Sequence, residues 1–335
     1  MTEKKSITTL IKQCTEEEYR NLPGINYSKI SSYIKVGPRS IINDIFTPSD
    51  GSILGTIVDY ILTNGREAVN SKYYVADIKS LSDKTESILL DVYSKLGRHK
   101  DLWDNSKILE ILKTNEYYPN YKDETKLNKF LTEVDNYFTS IAVAEGKEII
   151  PTEFFNTALA CVEAIQEAPF SEILHLKPDV KVEDVEVLKQ ASFVYYDLSL
   201  DSDIKIRVDQ LNVDHKNKTI RILDYKLSSE EEIHFIKAVY KFNYNVQAEL
   251  YKFVLESIIK DDPYFSDFKI LPFTFIVVNK ENKTPIAWEY PDIYSSFWKE
   301  YALKLKNNIL NSQYKYTPDV LDNNCIVPLN IYVKE

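Results

Sequence analysis

Glycine is scarce, with seven in 335 residues, and none stands in a GxxxxGK or GxGxxG run. The loops that cradle nucleotide phosphates with bare backbone amides are therefore missing, which excludes the usual phosphate-loop motors and dinucleotide enzymes. No GxSxG elbow occurs either. Cysteine is rarer still: Cys14, Cys161 and Cys325 lie far apart and form no CxxC pair. Zinc ribbons and ordinary iron–sulfur clusters thus lack their ligands, and the three read as buried free thiols. The four histidines, His99, His175, His215 and His234, make no HxxxH pair and read as surface or packing residues. No apolar run nears the roughly 20 residues of a membrane span, and residues 1–12 lack the apolar stretch of a secretory signal. The expectation is a cytoplasmic protein with no membrane partner.

What is present is acid in excess of base, 51 Asp and Glu against 41 Lys and Arg, for a net charge of −10. That balance argues against a non-specific coat for nucleic acid, which wants a basic surface. An enzyme that gathers its cations in one cleft is still allowed, and metal-binding carboxylates themselves add negative charge. Hydrophobic residues at 44 % and charged residues at 27 % suit a soluble globular chain.

The pattern along the chain changes once. Residues 1–20 read as a polar arm or a short helix. A turn at Leu22-Pro23-Gly24 leads to a helix capped by Asn26 or Ser28, running to about 36 and stopped at Gly37-Pro38. Further helices are expected over 51–62, 82–97, 105–114, 121–144 and 151–168, the last with Pro151 in its first turn. After Pro178 the texture is that of strands, over 187–198, 203–213 and 219–227, with a polar hairpin turn at 214–218. Ile204, Ile206 and Val208 alternate with Lys205, Arg207 and Asp209, so one strand face is apolar and the other charged. Helix returns over 229–260 with a break near Asn243, then a buried strand over 271–278 and a last helix over 291–311. The tail carries breaks at Pro318 and Pro328. The expected organisation is one compact α+β unit: an arm (1–20), a helical N-terminal part (21–178), a strand-rich core (179–290), and a C-terminal helix and tail (291–335).

An acidic-x-Lys triplet is common here, as in Asp77-x-Lys79, Glu124-x-Lys126, Asp203-x-Lys205 and Glu281-x-Lys283, and most such triplets are solvated surface charge. Asp224-Tyr225-Lys226 stands apart because it ends a strand whose preceding residues, Ile220, Ile222 and Leu223, are core-like. A carboxylate leaving such a strand needs a partner or a metal. Antiparallel pairing across the 214–218 turn would bring Asp209 close to Asp224, and two carboxylates so placed repel unless a divalent cation lies between them. The competing reading is an Asp–Lys salt bridge on a hairpin. Gln247 and Tyr251, four apart, share a helix face.

In that order Asp209, Asp224-Tyr225-Lys226, Gln247 and Tyr251 resemble the core of the PD-(D/E)XK nucleases, in particular the RecB-like and RecE (exonuclease VIII) type. Residues 19–26 and 28–38 look like the opening of RecE-type nucleases. Residues 54–59 look like their Gly-x-x-x-His segment, with Asp59 where that family has histidine. Gln190 falls where the family usually shows glutamate. The similarity covers roughly 19–60 and 186–255. It implies a restriction-endonuclease-like core, a mixed central sheet flanked by helices, and Mg²⁺-dependent hydrolysis of DNA, with Mn²⁺ able to substitute. Carried over residue by residue, it makes Asp59, Asp209, Asp224 and the Tyr225 carbonyl metal ligands and Lys226 the group that orients or deprotonates the attacking water. Gln247 would position water or phosphate, Tyr251 would support the helix, and Arg207 is a candidate phosphate contact. The family further suggests a 5′ to 3′ exonuclease in recombination or phage DNA processing, with a single-strand annealing recombinase as partner and a ring-shaped homo-oligomer. A catalytically weak nuclease fold with a binding role is the alternative, favoured by Gln190 and by the acidic charge. An iron–sulfur nuclease would need four cysteines, and there are three.

Overall fold

The computed structural model describes residues 4–37, 50–76, 81–97, 100–143, 147–177, 180, 182–291 and 297–310. Pro38, Asp77, Lys79, His99 and Pro178, and the tail with Pro318, Cys325 and Pro328, lie outside them. The helices are α1 (Glu16–Asn21), α2 (Tyr27–Val36), α3 (Asp50–Asn64), α4 (Val69–Lys72), α5 (Asp83–Leu96), α6 (Asn105–Thr114), α7 (Asp123–Val143), α8 (Thr152–Glu167), α9 (Phe235–Lys241), α10 (Tyr244–Lys260) and α11 (Phe297–Leu310). The strands are β1 (Tyr73–Ala76), β2 (Glu148–Pro151), β3 (Val185–Asp197), β4 (Ser202–Asp214), β5 (Thr219–Ser228), β6 (Lys269–Ile270), β7 (Thr274–Asn279) and β8 (Pro285–Glu289). The class is α+β. Where the sequence reading drew one compact unit, the chain divides into two, Met1–Asp59 with Cys161–Glu335, and Tyr60–Ala160. The divisions fall inside α3 and α8, so no linker composition marks them.

The larger unit is built on a mixed sheet of order β3-β4-β5-β7-β8, with β6 pairing β5 off that path. β3, β4 and β5 form an antiparallel meander, and β7 then pairs with β5 in parallel. A parallel neighbour requires a crossover, which α9 and α10 supply. Every residue of β7 is buried, as expected of an interior strand in a parallel pair. The inner residues of β4, Ile204, Ile206 and Val208, are fully buried in the core with Ile220 and Ile222 of β5. α10 lays Val246, Leu250 and Val254 into the same core. The break expected near Asn243 is present, with that residue in the left-handed region (φ 59°, ψ 35°) between α9 and α10.

Several elements differ from the sequence reading. The arm is partly packed: Ile7 is fully buried, and the Lys12 amide donates to the Ser192 carbonyl at 2.8 Å. Lys205, on the strand face expected to be charged and solvated, is buried because α1 lies over it. Its ammonium donates to the carbonyls of Tyr19, Arg20 and Leu22 at 2.8, 3.0 and 2.6 Å, where that helix ends. Pro151 closes β2 one residue before α8 rather than entering the helix. β8 and the short parallel pair β1–β2 were not anticipated; four- and five-residue strands give too few positions for an alternation to show.

The smaller unit has its own core, formed by Ile88, Leu89 and Val92 of α5, Ile108, Ile111 and Leu112 of α6, and Phe130 and Val134 of α7.

Candidate active site

The β4–β5 register sets Gln210 opposite Leu223, which brings Asp209 to the level of Asp224. The hairpin is tight because Asp214 accepts from the Asn217 amide at 2.8 Å and from its side chain at 2.7 Å. Asp224 is 2 % exposed. One of its oxygens accepts from Gln247 Nε2 at 2.6 Å, and the other forms an ion pair with Lys226. Asp209 Oδ2 accepts from the Tyr225 backbone amide at 2.9 Å. Alternation along β5 turns Tyr225 the other way: its hydroxyl donates to Gln210 Oε1 at 2.6 Å and accepts from Lys189 Nζ at 2.9 Å.

Asp59, one turn before the end of α3, joins this group through Gln190. Gln190 Nε2 donates to both Asp59 oxygens at 3.0 Å, and its own carbonyl oxygen accepts from Arg207 Nε at 3.0 Å. Arg207 also donates to Ser192 Oγ at 2.8 Å, and its guanidinium lies 5.8 Å from the Tyr19 ring. Gln190 reaches this position from an unusual backbone, with φ at 52° in the middle of β3. A non-glycine residue held there costs about 1–3 kcal/mol unless its surroundings over-determine it. Here three side-chain hydrogen bonds do so.

The electrostatics follow from crowding like charge in a partly dehydrated space. Burial pushes the Asp59 carboxyl up to about 6, helped by the charges of Asp224 and Glu16 and opposed by Lys189 and Lys226. Burial, then Asp224 and Asp59, hold Asp209 well above the usual carboxylate range. Burial works against the charge of Lys226, yet Asp224, Tyr244 and Asp209 raise its ammonium above an ordinary lysine. Lys189 goes the other way: burial brings it down to about 8, while Asp59 and Asp209 resist.

Of the residues expected from the sequence, Asp59, Asp209, Asp224, Lys226 and Gln247 are thus brought together. Tyr251 is buried beside Gln247 on α10, with Asp224 and Asp209 among the charges acting on it. Arg207 is engaged with Gln190 and Ser192, inside the protein. Among the described residues no group of three His, Cys, Asp or Glu side chains has the spacing of a ready metal cage. Each carboxylate of the cluster instead leans on its own protein donor. The carboxylate oxygens of the cluster are those of Asp59, Asp209 and Asp224, and Gln247 Oε1 lies buried beside Asp224 without a partner among the described residues.

Sequence reasoning missed Lys189 and Tyr244. Tyr244 stands three residues before Gln247, on the same helix face, and Lys226 Nζ lies 4.8 Å from its ring; that spacing was a usable signal. Lys189 had none, because it is the abnormal backbone of its neighbour that upsets the strand alternation. No protein-family model matches this chain, and no curated protein matches it either.

Proposed function

We propose that this chain is a divalent-metal-dependent phosphodiesterase acting on DNA, with the PD-(D/E)XK arrangement that its sequence resembles. The observation that carries the reading is the convergence of Asp59, Asp209 and Asp224 on Lys226, with Asp209 held well above the usual carboxylate range. Burial is the larger cause of both upward shifts and the neighbouring carboxylates add to it; a cation among the three would offset both. The donor set fits Mg²⁺ or Mn²⁺, since all its ligands are hard oxygens. Gln247 Oε1 adds a buried acceptor with no hydrogen-bond partner among the described residues. Asp59, Asp209, Asp224 and the Tyr225 carbonyl would hold the ion, which when bound polarises the phosphate and offsets developing negative charge.

The chain's own groups supply the rest. Lys226 keeps its proton at neutral pH, so it acts as a hydrogen-bond donor that steadies charge on the phosphate and orients the attacking water, rather than as a base. Gln247 fixes the rotamer of Asp224. Gln190 bridges Asp59 to Arg207, a link glutamate could not make, because it has no N–H to give the aspartate. The resemblance makes exonuclease action from the 5′ end the preferred mode.

The test is digestion of linear duplexes labelled at the 5′ or the 3′ end, and of closed circles, with Mg²⁺ and with chelator. Asp224→Ala and Lys226→Ala are expected to lower the rate by about 10²–10⁴-fold or more with the fold retained, while Asp203→Ala is nearly silent. Undiminished cutting in excess chelator, or equal damage from Asp203→Ala, would overturn the assignment. A binding protein with a retired site is the second reading. It is favoured by the way every carboxylate already has an internal donor, and calorimetry showing no uptake of Mg²⁺ or Mn²⁺ would select it.

A further inference from the structure

Beside the carboxylate cluster, the end of α2 meets the α9–α10 junction in a rim of aromatic and lysine side chains. Phe242 is 38 % exposed there. One exposed ring is ordinary; its company is not. Lys35 and Lys241, both exposed, place their ammonium groups 5.4 and 5.3 Å from the centre of that ring. Neither has a carboxylate partner among the described residues. From Phe242 the ring of Tyr244 is 5.6 Å away and tilted by 31°, and Lys226 Nζ is 4.8 Å from Tyr244. A stair of aromatic faces thus leads from solvent to the lysine at the centre of the site.

The rim is held on a fixed base. The Phe242 carbonyl accepts from the Tyr27 hydroxyl at 2.7 Å and from Ser31 Oγ at 3.3 Å. Buried Asn243, in its left-handed conformation, donates to Ser31 Oγ at 3.1 Å. The backbone that carries the ring is therefore set before anything binds, which lowers the ordering cost of binding.

An exposed ring with two mobile-stemmed cations over it, neither with an acidic partner among the described residues, fits a ligand that alternates rings with anions. Bases stack on aromatic side chains while lysines follow the phosphates. An apolar helix from a second copy would leave both cations uncompensated. Resting on the nuclease reading for its ligand class, we propose that this rim is a stacking subsite for an unpaired nucleotide of a DNA strand, with Phe242 under the base and Lys35 and Lys241 on the adjoining phosphates.

The test uses the full chain in chelator at low salt, with a single-stranded oligodeoxynucleotide carrying 2-aminopurine, followed by anisotropy and by quenching of the base. Wild type is expected to bind and quench. Phe242→Ala and Phe242→Leu should each weaken binding about tenfold, the effect of one lost stack, and remove the quenching. Phe242→Trp should keep both. Lys35→Gln and Lys241→Gln should each shallow the salt dependence by about 0.7 in log–log slope. The leucine variant keeps apolar bulk, so a folding defect in the alanine variant does not decide the matter. Wild type that fails to bind the oligonucleotide, or Phe242→Leu that binds and quenches as wild type does, would overturn the subsite. Hydrolysis by wild type with Mg²⁺ is scored separately: its absence removes the proposed chemistry and leaves the binding result standing.

Discussion

Asp59 shows at the scale of one residue what burying a carboxylate costs, with Asp224 and Glu16 adding to that cost. Its carboxyl titrates near 6 in the folded chain, against an ordinary value of 3.8. The folded state then holds a proton that the unfolded state has released, so stability present below about pH 4 is lost as the pH climbs to about 6. Asp59→Asn removes that loss. In metal-free buffer the variant should exceed wild type by about 1–2 kcal/mol at pH 7 once partial exposure is allowed for, and match it near pH 4. Mg²⁺ should close the gap at pH 7, because an ion bound at Asp59 takes over the proton's role. Thermal melts at the two pH values, with and without Mg²⁺, measure this. Equal stability of variant and wild type at pH 7 in chelator would remove the desolvation account.

At the scale of elements, α1 is tied to the sheet from two sides. Lys205 closes its carboxyl end through three carbonyls, and the turn that follows has Gly24 at φ +113°. Lysine at a helix carboxyl end answers the orphan carbonyls there. Lys205→Met keeps the stem and deletes the donor, leaving buried acceptors unmet, at an expected cost of about 2–4 kcal/mol. Gly24→Ala would set a methyl 2.7 Å from the Asp203 carbonyl oxygen, in a region only glycine enters freely, and should cost about 2–3 kcal/mol. Urea unfolding of the two variants reads both values. Losses under 1 kcal/mol in both would mean that α1 contributes little to the fold. Because α1 also carries Tyr19, whose ring lies beneath Arg207, Lys205→Met should also disturb the Gln190–Arg207 link and lower any metal-dependent rate.

At the scale of the whole molecule, the two units carry separate cores, and this predicts separate responses. Phe130 is fully buried among the helices of the smaller unit, and Phe193 among the strands of the larger one. Phe130→Ala should cost about 3–5 kcal/mol and speed amide exchange in α5, α6 and α7, while β3, β4 and β5 keep their protection. Phe193→Ala should do the reverse. Hydrogen exchange by mass spectrometry distinguishes the cases. Uniform loss of protection across both units, from either substitution, would mean that they unfold as one.

Local pattern determined much of this protein. The 3.6-residue spacing placed most of the helices within a few residues of their ends, and the alternation of Ile204, Ile206 and Val208 set the inner face of β4. The polar run at 214–218 determined the hairpin, and with it the level of Asp209 against Asp224, because a turn of fixed length leaves only one register. Tertiary structure alone decided the rest. It buried Lys205, whose charge reads as solvent-facing until α1 is seen to lie over it. It set Gln190 in a left-handed backbone between Asp59 and Arg207, joining residues 131 apart in the chain. It brought Lys189 and Phe242 to the site and its rim, and it divided the chain inside two helices. None of these follows from neighbours in sequence, because each depends on which surfaces the core excludes from water, and the core is assembled from distant segments.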